Sequence, residues 1–220
     1  MKIRFFNKFF PSFLSRENTD LMLPFDEVSD AMDKLRNEIS YFFEKKQIDK
    51  KPRVLGLTST EYNEGAFQTA VELAKSYSRM SIRVLLLDMD FHKALSTRFL
   101  TSKKYKGQLT PFEEGGMLFR SSEGFDLYTC RTQKSDVTAK LERMHHEAFI
   151  AEKASGYDVV ICSLPPVLNY ADAGLISRDL DGIVYTVREN YTRQESILAA
   201  LNYSEMIRNK IIGFMYYKTK

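Results

Sequence analysis

VLGLTS at 54–59, RVLLLDMD at 83–90, FDLYTC at 125–130, YDVVICS at 157–163, DGIVYTVRE at 181–189 and KIIGFMYY at 210–217 are short runs, apolar almost throughout. Runs of that length with no polar face read as strands buried on both sides. Between them lie stretches of helical periodicity at about 66–80, 136–155, 172–178 and 192–209. Strand alternating with helix predicts an α/β fold, a mostly parallel sheet with helices on both faces. Such a sheet places its ligands beyond the carboxyl ends of its strands. Chemistry is therefore expected in the loops after Ser59, Asp88 and Ser163.

Upstream of these strands the chain changes character twice. Residues 1–16, MKIRFFNKFFPSFLSR, are basic and aromatic, and residues 17–52 hold a helix and a polar linker. That helix spans about 25–46, with Met32, Leu35, Ile39, Phe42 and Phe43 at three- and four-residue spacing. The α/β domain is expected over 53–220. Four of the 32 basic residues fall in the first 16 positions with no acid, leaving 28 basic against 29 acidic residues elsewhere. A globular part without basic excess argues against nucleic acid as a partner. The two cysteines, Cys130 and Cys162, both sit at strand ends and imply a reducing, cytoplasmic setting rather than a disulfide framework. No apolar run is long enough to cross a membrane as a helix.

On a helix, Ile3, Phe5, Phe6, Phe9, Phe10, Phe13 and Leu14 fill one arc and Arg4, Asn7, Lys8, Ser12 and Ser15 the other. An aromatic face beside a basic one suits a helix lying on an anionic membrane surface. The same phenylalanines also suit a partner protein, or packing on the chain's own domain.

The first strand–loop–helix unit, VLGLTSTEYNEGAFQTAVELA, stands where a phosphate loop belongs. Such a loop needs glycines to bring backbone N–H groups to phosphate, a lysine for the β- and γ-phosphates and a hydroxyl for magnesium. Gly65 is present, but Ala66 and Phe67 follow it. LLLDMDFHK carries Asp88 and Asp90 at alternate positions, which on a strand share one face and suit a metal or phosphate site; acids that cap a turn are the other reading. YDVVICSLPP carries Ser163 before its prolines, where an acid often completes a magnesium site.

These motifs, in this order, resemble the bacterial tyrosine kinases of capsule and exopolysaccharide systems (CpsD/CapB-like), relatives of the MinD/ParA group of deviant P-loop ATPases. The resemblance covers roughly residues 24–217. The family reads about TSxxPGEGKST, LLIDxDxRxP and YDxVIIDTPP, followed by Asp-Ala, matched by Asp172-Ala173, and by a D-G-x-x-x-V-V-R stretch, matched by Asp181, Gly182, Val187 and Arg188. Thr58-Ser59, Gly65, Ala70 and Leu73-Ala74 hold the register without gaps.

In that register the loop Thr60, Asn63, Glu64, Gly65, Ala66, Phe67, Gln68 is degenerate. Ala66 replaces the phosphate-binding lysine, and Phe67, bulky where a small hydroxyl faces the metal, replaces the magnesium ligand. Gln68 replaces the next hydroxyl, Tyr62 and Asn63 replace Pro-Gly, Ser163 replaces the second acid and His92 the basic residue. Only Asp88 and Asp90 remain as catalytic candidates. A hydrogen bond to a charged group is worth roughly 1.5–3 kcal/mol, so the lost lysine alone weakens ATP binding tenfold or more. Phosphoryl transfer rests on that positioning and charge neutralisation. No cofactor and no metal are expected, beyond weak ATP or magnesium at the two acids.

The resemblance further implies a Glu-x-x-Arg-x-x-Arg helix that docks on a neighbouring subunit and builds a ring. Asp30, Asp33 and Arg36 stand at those positions, the middle one reversed in charge. The family's tyrosine-rich tail has no counterpart before Lys220, and Tyr216 and Tyr217 are expected to be structural. The resulting expectation is a non-catalytic relative, cytoplasmic and peripheral at the inner face of the plasma membrane. It would dock on a membrane-spanning chain-length regulator or on an intact kinase paralogue. The alternatives are an active tyrosine kinase with a divergent site and a MinD/ParA-like positioning factor.

Overall fold

The structure, a computed structural model, describes residues 2–6, 26–93, 96, 107–111, 116–130 and 146–218. In chain order these form β1 (Lys2–Phe6), α1 (Asp26–Lys45), β2 (Arg53–Ser59), α2 (Ala66–Arg79), β3 (Val84–Asp88), β4 (Gly107–Pro111), β5 (Gly116–Ser121) and β6 (Asp126–Cys130). They continue as α3 (His146–Lys153), β7 (Val159–Ser163), α4 (Asp172–Ile176), a single 3-10 turn, β8 (Gly182–Arg188), α5 (Gln194–Tyr203), α6 (Glu205–Lys210) and β9 (Ile211–Lys218). One sheet takes all the strands in the order β1-β9-β8-β2-β7-β3-β6-β5-β4. From β9 to β6 neighbouring strands run parallel, while β1, β5 and β4 are antiparallel additions at the edges.

The unbroken apolar runs are explained by where their side chains go. Leu85, Leu87, Val160 and Cys162 belong to a cluster on one face, and Val84, Leu86, Val159 and Ile161 to a cluster on the other. Successive residues of a strand alternate faces, so a sheet covered twice needs apolar residues at every position. The first face is covered by Ile150 of α3, Ile176 of α4, Ile197 of α5 and Ile207 of α6. The second is covered by α2 and by Met32, Leu35, Ile39 and Phe43 of α1, each at most 1% exposed. Truncating one of these four to alanine costs about 2–5 kcal/mol by the cavity it leaves.

Four expectations are corrected. The loop-rich stretch before FDLYTC contains two antiparallel strands, β4 and β5. Both are short and bounded by glycine or proline, which masks their period of two. The helix expected over 192–209 breaks at Ser204, whose backbone is extended and whose hydroxyl accepts the Ile207 N–H to cap α6. The strand ends at Asp88, so Asp90 lies in the loop beyond it and the shared strand face does not apply.

The N-terminal helix is the fourth. Lys2–Phe6 is a strand, with Phe6 opposite Phe214 and Lys2 opposite Lys218. An isolated helix this short is marginal in water, whereas the edge of β9 offers a row of unpaired backbone groups. Phe9, Phe10, Phe13 and Lys8 lie outside the described residues. So do the side chains of Arg4, Phe5 and Phe6 and the expected helix before His146.

Candidate functional site

Strand order brings the three expected loops together. β7 lies between β2 and β3, so Ser163 is the neighbour of Leu57 on one side and of Asp88 on the other. Met89 N–H donates to the Ser163 carbonyl, and Leu164 N–H to that of Leu57, which fixes the strand ends at one level. The carboxyl ends of β2, β3 and β7 thus form one mouth, as the sheet type requires.

The loop between β2 and α2 is ordered by its own side chains. Glu64 is buried, and its Oε2 accepts the N–H groups of Thr60 at 2.8 Å and Glu61 at 3.2 Å. Burial pushes its carboxyl up, against the hydrogen bonds from Thr192 and the two amides. Two loop amides therefore face an internal carboxylate. Thr60 Oγ1 accepts the hydroxyl of buried Tyr185 at 2.9 Å. Gly65 caps α2 with φ 81°, a left-handed conformation that glycine adopts without strain. Asn63 has φ 69°, and its carbonyl accepts from Arg188 Nη1 at 3.1 Å.

The next positions go elsewhere than to a phosphate. Ala66 is buried at the start of α2 and has no charge to offer. Phe67 is 4% exposed and packs in the cluster beneath α1 and α2, so its ring is a core element. Gln68 is exposed.

Asp88 and Asp90 are both brought to the mouth, and each is 5% exposed. Asp88 Oδ1 accepts Asp90 N–H at 3.2 Å and its Oδ2 accepts Ser96 N–H at 3.3 Å. Burial is the main cause that pushes its carboxyl up to about 7, with Asp90 adding to the rise. Asp90 Oδ1 accepts the Tyr62 hydroxyl at 3.2 Å and the N–H groups of His92 and Lys93, each at 3.1 Å. Burial raises its carboxyl too. Its Oδ2 is buried with no hydrogen-bond donor among the described residues.

Beside Asp90 lies an aromatic layer that sequence alone does not reveal. Tyr62 meets Tyr170 edge-on at 6.3 Å between ring centroids, and Tyr170 stacks on His92 at 3.5 Å and 6°. Lys93 Nζ stands 3.9 Å from the centre of the Tyr62 ring. His92 Nε2 pairs with the buried carboxylate of Asp172. The signal was present as tyrosine and histidine at the positions that depart from the family pattern, but only the fold brings them together.

Two of the residues expected to serve oligomerisation make contacts within the chain. Asp33 Oδ1 accepts Ser76 Oγ at 2.5 Å, Arg79 Nη2 at 2.9 Å and Arg36 Nη1 at 3.1 Å. Arg36 donates besides to the Ser76 carbonyl at 2.8 Å. Asp33 and Arg36 therefore clasp α1 to α2 within the chain, and Asp30 alone of the three is exposed. The charge reversal at the middle position creates this clasp.

No protein-family model matches the chain. Tyrosine-protein kinase CpsD of Streptococcus pneumoniae is 22% identical over 174 residues, which are 76% of this chain and 77% of that protein. Tyrosine-protein kinase YwqD of Bacillus subtilis is 25% identical over 174 residues, 76% of this chain and 72% of that protein.

The chain is a relative of the bacterial tyrosine kinases.

Solved structures carry the same fold. The kinase domain of the Escherichia coli tyrosine kinase ETK matches with a TM-score of 0.70 at 18% identity, over 94% of this chain and 84% of that one. Cobyrinic acid a,c-diamide synthase of Mycobacterium smegmatis, solved with an ATP analogue and magnesium, matches with a TM-score of 0.52 at 18% identity, over 76% and 71%. The sheet is thus that of the P-loop-like kinase domains. The residues at its mouth fit magnesium-ATP poorly: no lysine follows Gly65 until Lys75, and no hydroxyl stands at 67. Among the described residues, no three His, Cys, Asp or Glu side chains converge as a metal site. No described helix is long and apolar enough to cross a membrane.

Proposed function

We propose that this chain is a binding or regulatory subunit of a capsular or exopolysaccharide assembly system, a tyrosine-kinase relative that does not turn over ATP. One observation carries the reading. At the mouth of an intact kinase-type sheet, the start of α2 presents Ala66 and a core-buried Phe67, and Ser163 stands where a second acid would face Asp88. The triphosphate charge then lacks both the loop lysine and a full magnesium shell to balance it. Positioning and charge balance supply nearly all of phosphoryl-transfer catalysis.

The framework that a binding subunit needs is retained in full, while the ligand shell has been replaced by internal contacts. The partner would be the cytoplasmic end of a membrane-spanning chain-length regulator, or a kinase paralogue with an intact site. The basic, aromatic N-terminus, from Arg4 and Phe5 through Lys8, Phe9, Phe10 and Phe13, is the segment we assign to that contact or to anionic lipid at the inner membrane face. Since Lys2–Phe6 pairs with β9, the contact falls chiefly on the residues that follow Phe6.

Incubation of the purified chain with magnesium and ATP tests the reading. No phosphotyrosine should appear by mass spectrometry, either on this chain or on an added tyrosine-rich peptide. Accumulation in the isolated chain, abolished by Asp90→Asn, overturns the reading.

A further inference from the structure

Asp90 has one carboxylate oxygen held by three donors and one that is buried with none among the described residues. A sealed oxygen without a donor is unfavourable, and it is tolerated where the surrounding groups hold it shut. The groups gathered around Asp90 come from three separate loops. Tyr62, from the loop after β2, donates to Asp90 and lies under the Lys93 ammonium. His92 and Lys93 come from the loop after β3. Tyr170, from the loop after β7, meets Tyr62 edge-on and stacks on His92, which in turn is tied to Asp172 at the start of α4. A fourth loop strengthens the arrangement from behind: the Tyr191 hydroxyl donates to the Tyr62 carbonyl at 3.4 Å.

We propose that Tyr62, His92, Lys93 and Tyr170 form a displaceable plug over the Asp88–Asp90 carboxylates, latched by the Tyr62–Asp90 hydrogen bond, and that its three loops open as one unit. This rests on the reading that the mouth has lost its phosphate-binding residues, and it adds that the same mouth is closed by the chain itself. Tyr62 is a positioning residue here, because it acts through the loops it joins. The contacts explain why the unit is cooperative. Each ring is braced by a group from a different loop, so withdrawal of Tyr62 leaves Lys93 without its ring, Tyr170 without its edge contact and Asp90 without its hydroxyl donor. The titratable and charged groups facing the plug are Asp88, Asp90, Tyr62, His92, Lys93 and Asp172. Opening gives the sealed Asp90 oxygen access to water or to a cation.

Hydrogen exchange read by mass spectrometry tests this on the full chain, comparing wild type with Tyr62→Phe and Tyr62→Ala. Tyr62→Phe keeps the ring and removes the latch. It should speed exchange by roughly tenfold to a hundredfold, the range set by losing one hydrogen bond to a charged group, together in peptides covering 60–65, 90–93 and 168–172. Tyr62→Ala should speed it further, while peptides within β2 and β7 stay as protected as in wild type. Protection of those strands also shows that each variant is folded. A second readout is access: coupling of glycinamide to Asp90 by a water-soluble carbodiimide should be slow in wild type and faster in both variants. Acceleration confined to 60–65, or unchanged carbodiimide reactivity at Asp90, overturns the plug and leaves the reading of a non-catalytic subunit standing. Tight magnesium-ATP binding by wild type overturns that reading, whichever way the exchange data fall.

Discussion

Ser163 is the lateral neighbour of Asp88 in the ladder between β7 and β3, 2% exposed beside a carboxyl that is itself 5% exposed. In the kinases this chain resembles, an acid occupies the serine's position. Here the pair is a hydroxyl and one acid, an arrangement suited to a closed interior more than to a cation. Restoring the acid by Ser163→Asp should bring two carboxyls side by side where burial already disfavours charge. We expect a loss of about 3 kcal/mol or more at pH 8, the scale of an uncompensated buried charge, and a smaller loss at pH 5 where both are protonated. Urea unfolding at the two pH values measures it.

The pH dependence of the unaltered chain follows from the same burial. The Asp88 carboxyl is raised from 3.8 to about 7, first by burial. A raised folded-state value means that the fold binds this proton more tightly than the unfolded chain does. Its contribution is therefore fully present below about pH 4 and is lost as pH rises to about 7. At about 1.4 kcal/mol for each pH unit, the loss reaches a few kcal/mol. Asp90 and Glu64 are raised as well and act in the same direction. Asp88→Asn should flatten the decline between pH 4 and pH 7, whatever its offset at low pH. An unchanged slope by urea unfolding contradicts the assignment.

The Asp33 clasp predicts a helix–helix effect. Asp33→Ala removes the common acceptor of Ser76, Arg36 and Arg79. Its side chain is 38% exposed, so water takes over part of the bonding, and we expect a loss of about 1–2 kcal/mol. Asp33→Arg, which restores the charge of the family pattern, should cost more because three arginines then meet. Thermal unfolding of both variants checks the order.

Much of this was legible in the residues. The strands β2, β3, β7, β8 and β9 announced themselves because burial on both faces leaves no polar position, and α1 because Met32, Leu35, Ile39 and Phe43 keep helical spacing. The reading of Ala66 and Ser163 as departures from the family pattern rests on a gap-free register around Gly65 and Pro165-Pro166. What was not legible depends on long-range approach. Asp33 meets Ser76 and Arg79 only once α1 lies on α2. Tyr62, His92 and Tyr170 look unrelated along the chain, and become one layer only when β7 is inserted between β2 and β3. That the Phe67 ring joins the core beneath α1 and α2 is likewise visible only once those helices are packed. The N-terminal strand was hidden because the same residues also satisfy a helical arc, and the free edge of β9 decides between them.

That edge gives a further expectation. Deleting residues 1–6 should bare one side of β9, whose IIGFMYY run is apolar and almost uncharged. Exposed edges of this kind pair with other chains. Light scattering against concentration should show self-association of the truncated chain at concentrations where the full chain stays dispersed. Equal behaviour of the two contradicts a capping role for β1.

With Ser163 beside Asp88 and no lysine between Gly65 and Lys75, the kinase-type mouth should not take magnesium-ATP. Calorimetric titration of the purified chain with magnesium-ATP tests it most directly. No saturable heat is expected up to about millimolar ligand, because the charge-assisted contacts to the triphosphate are missing. Saturable binding at about micromolar affinity would contradict it.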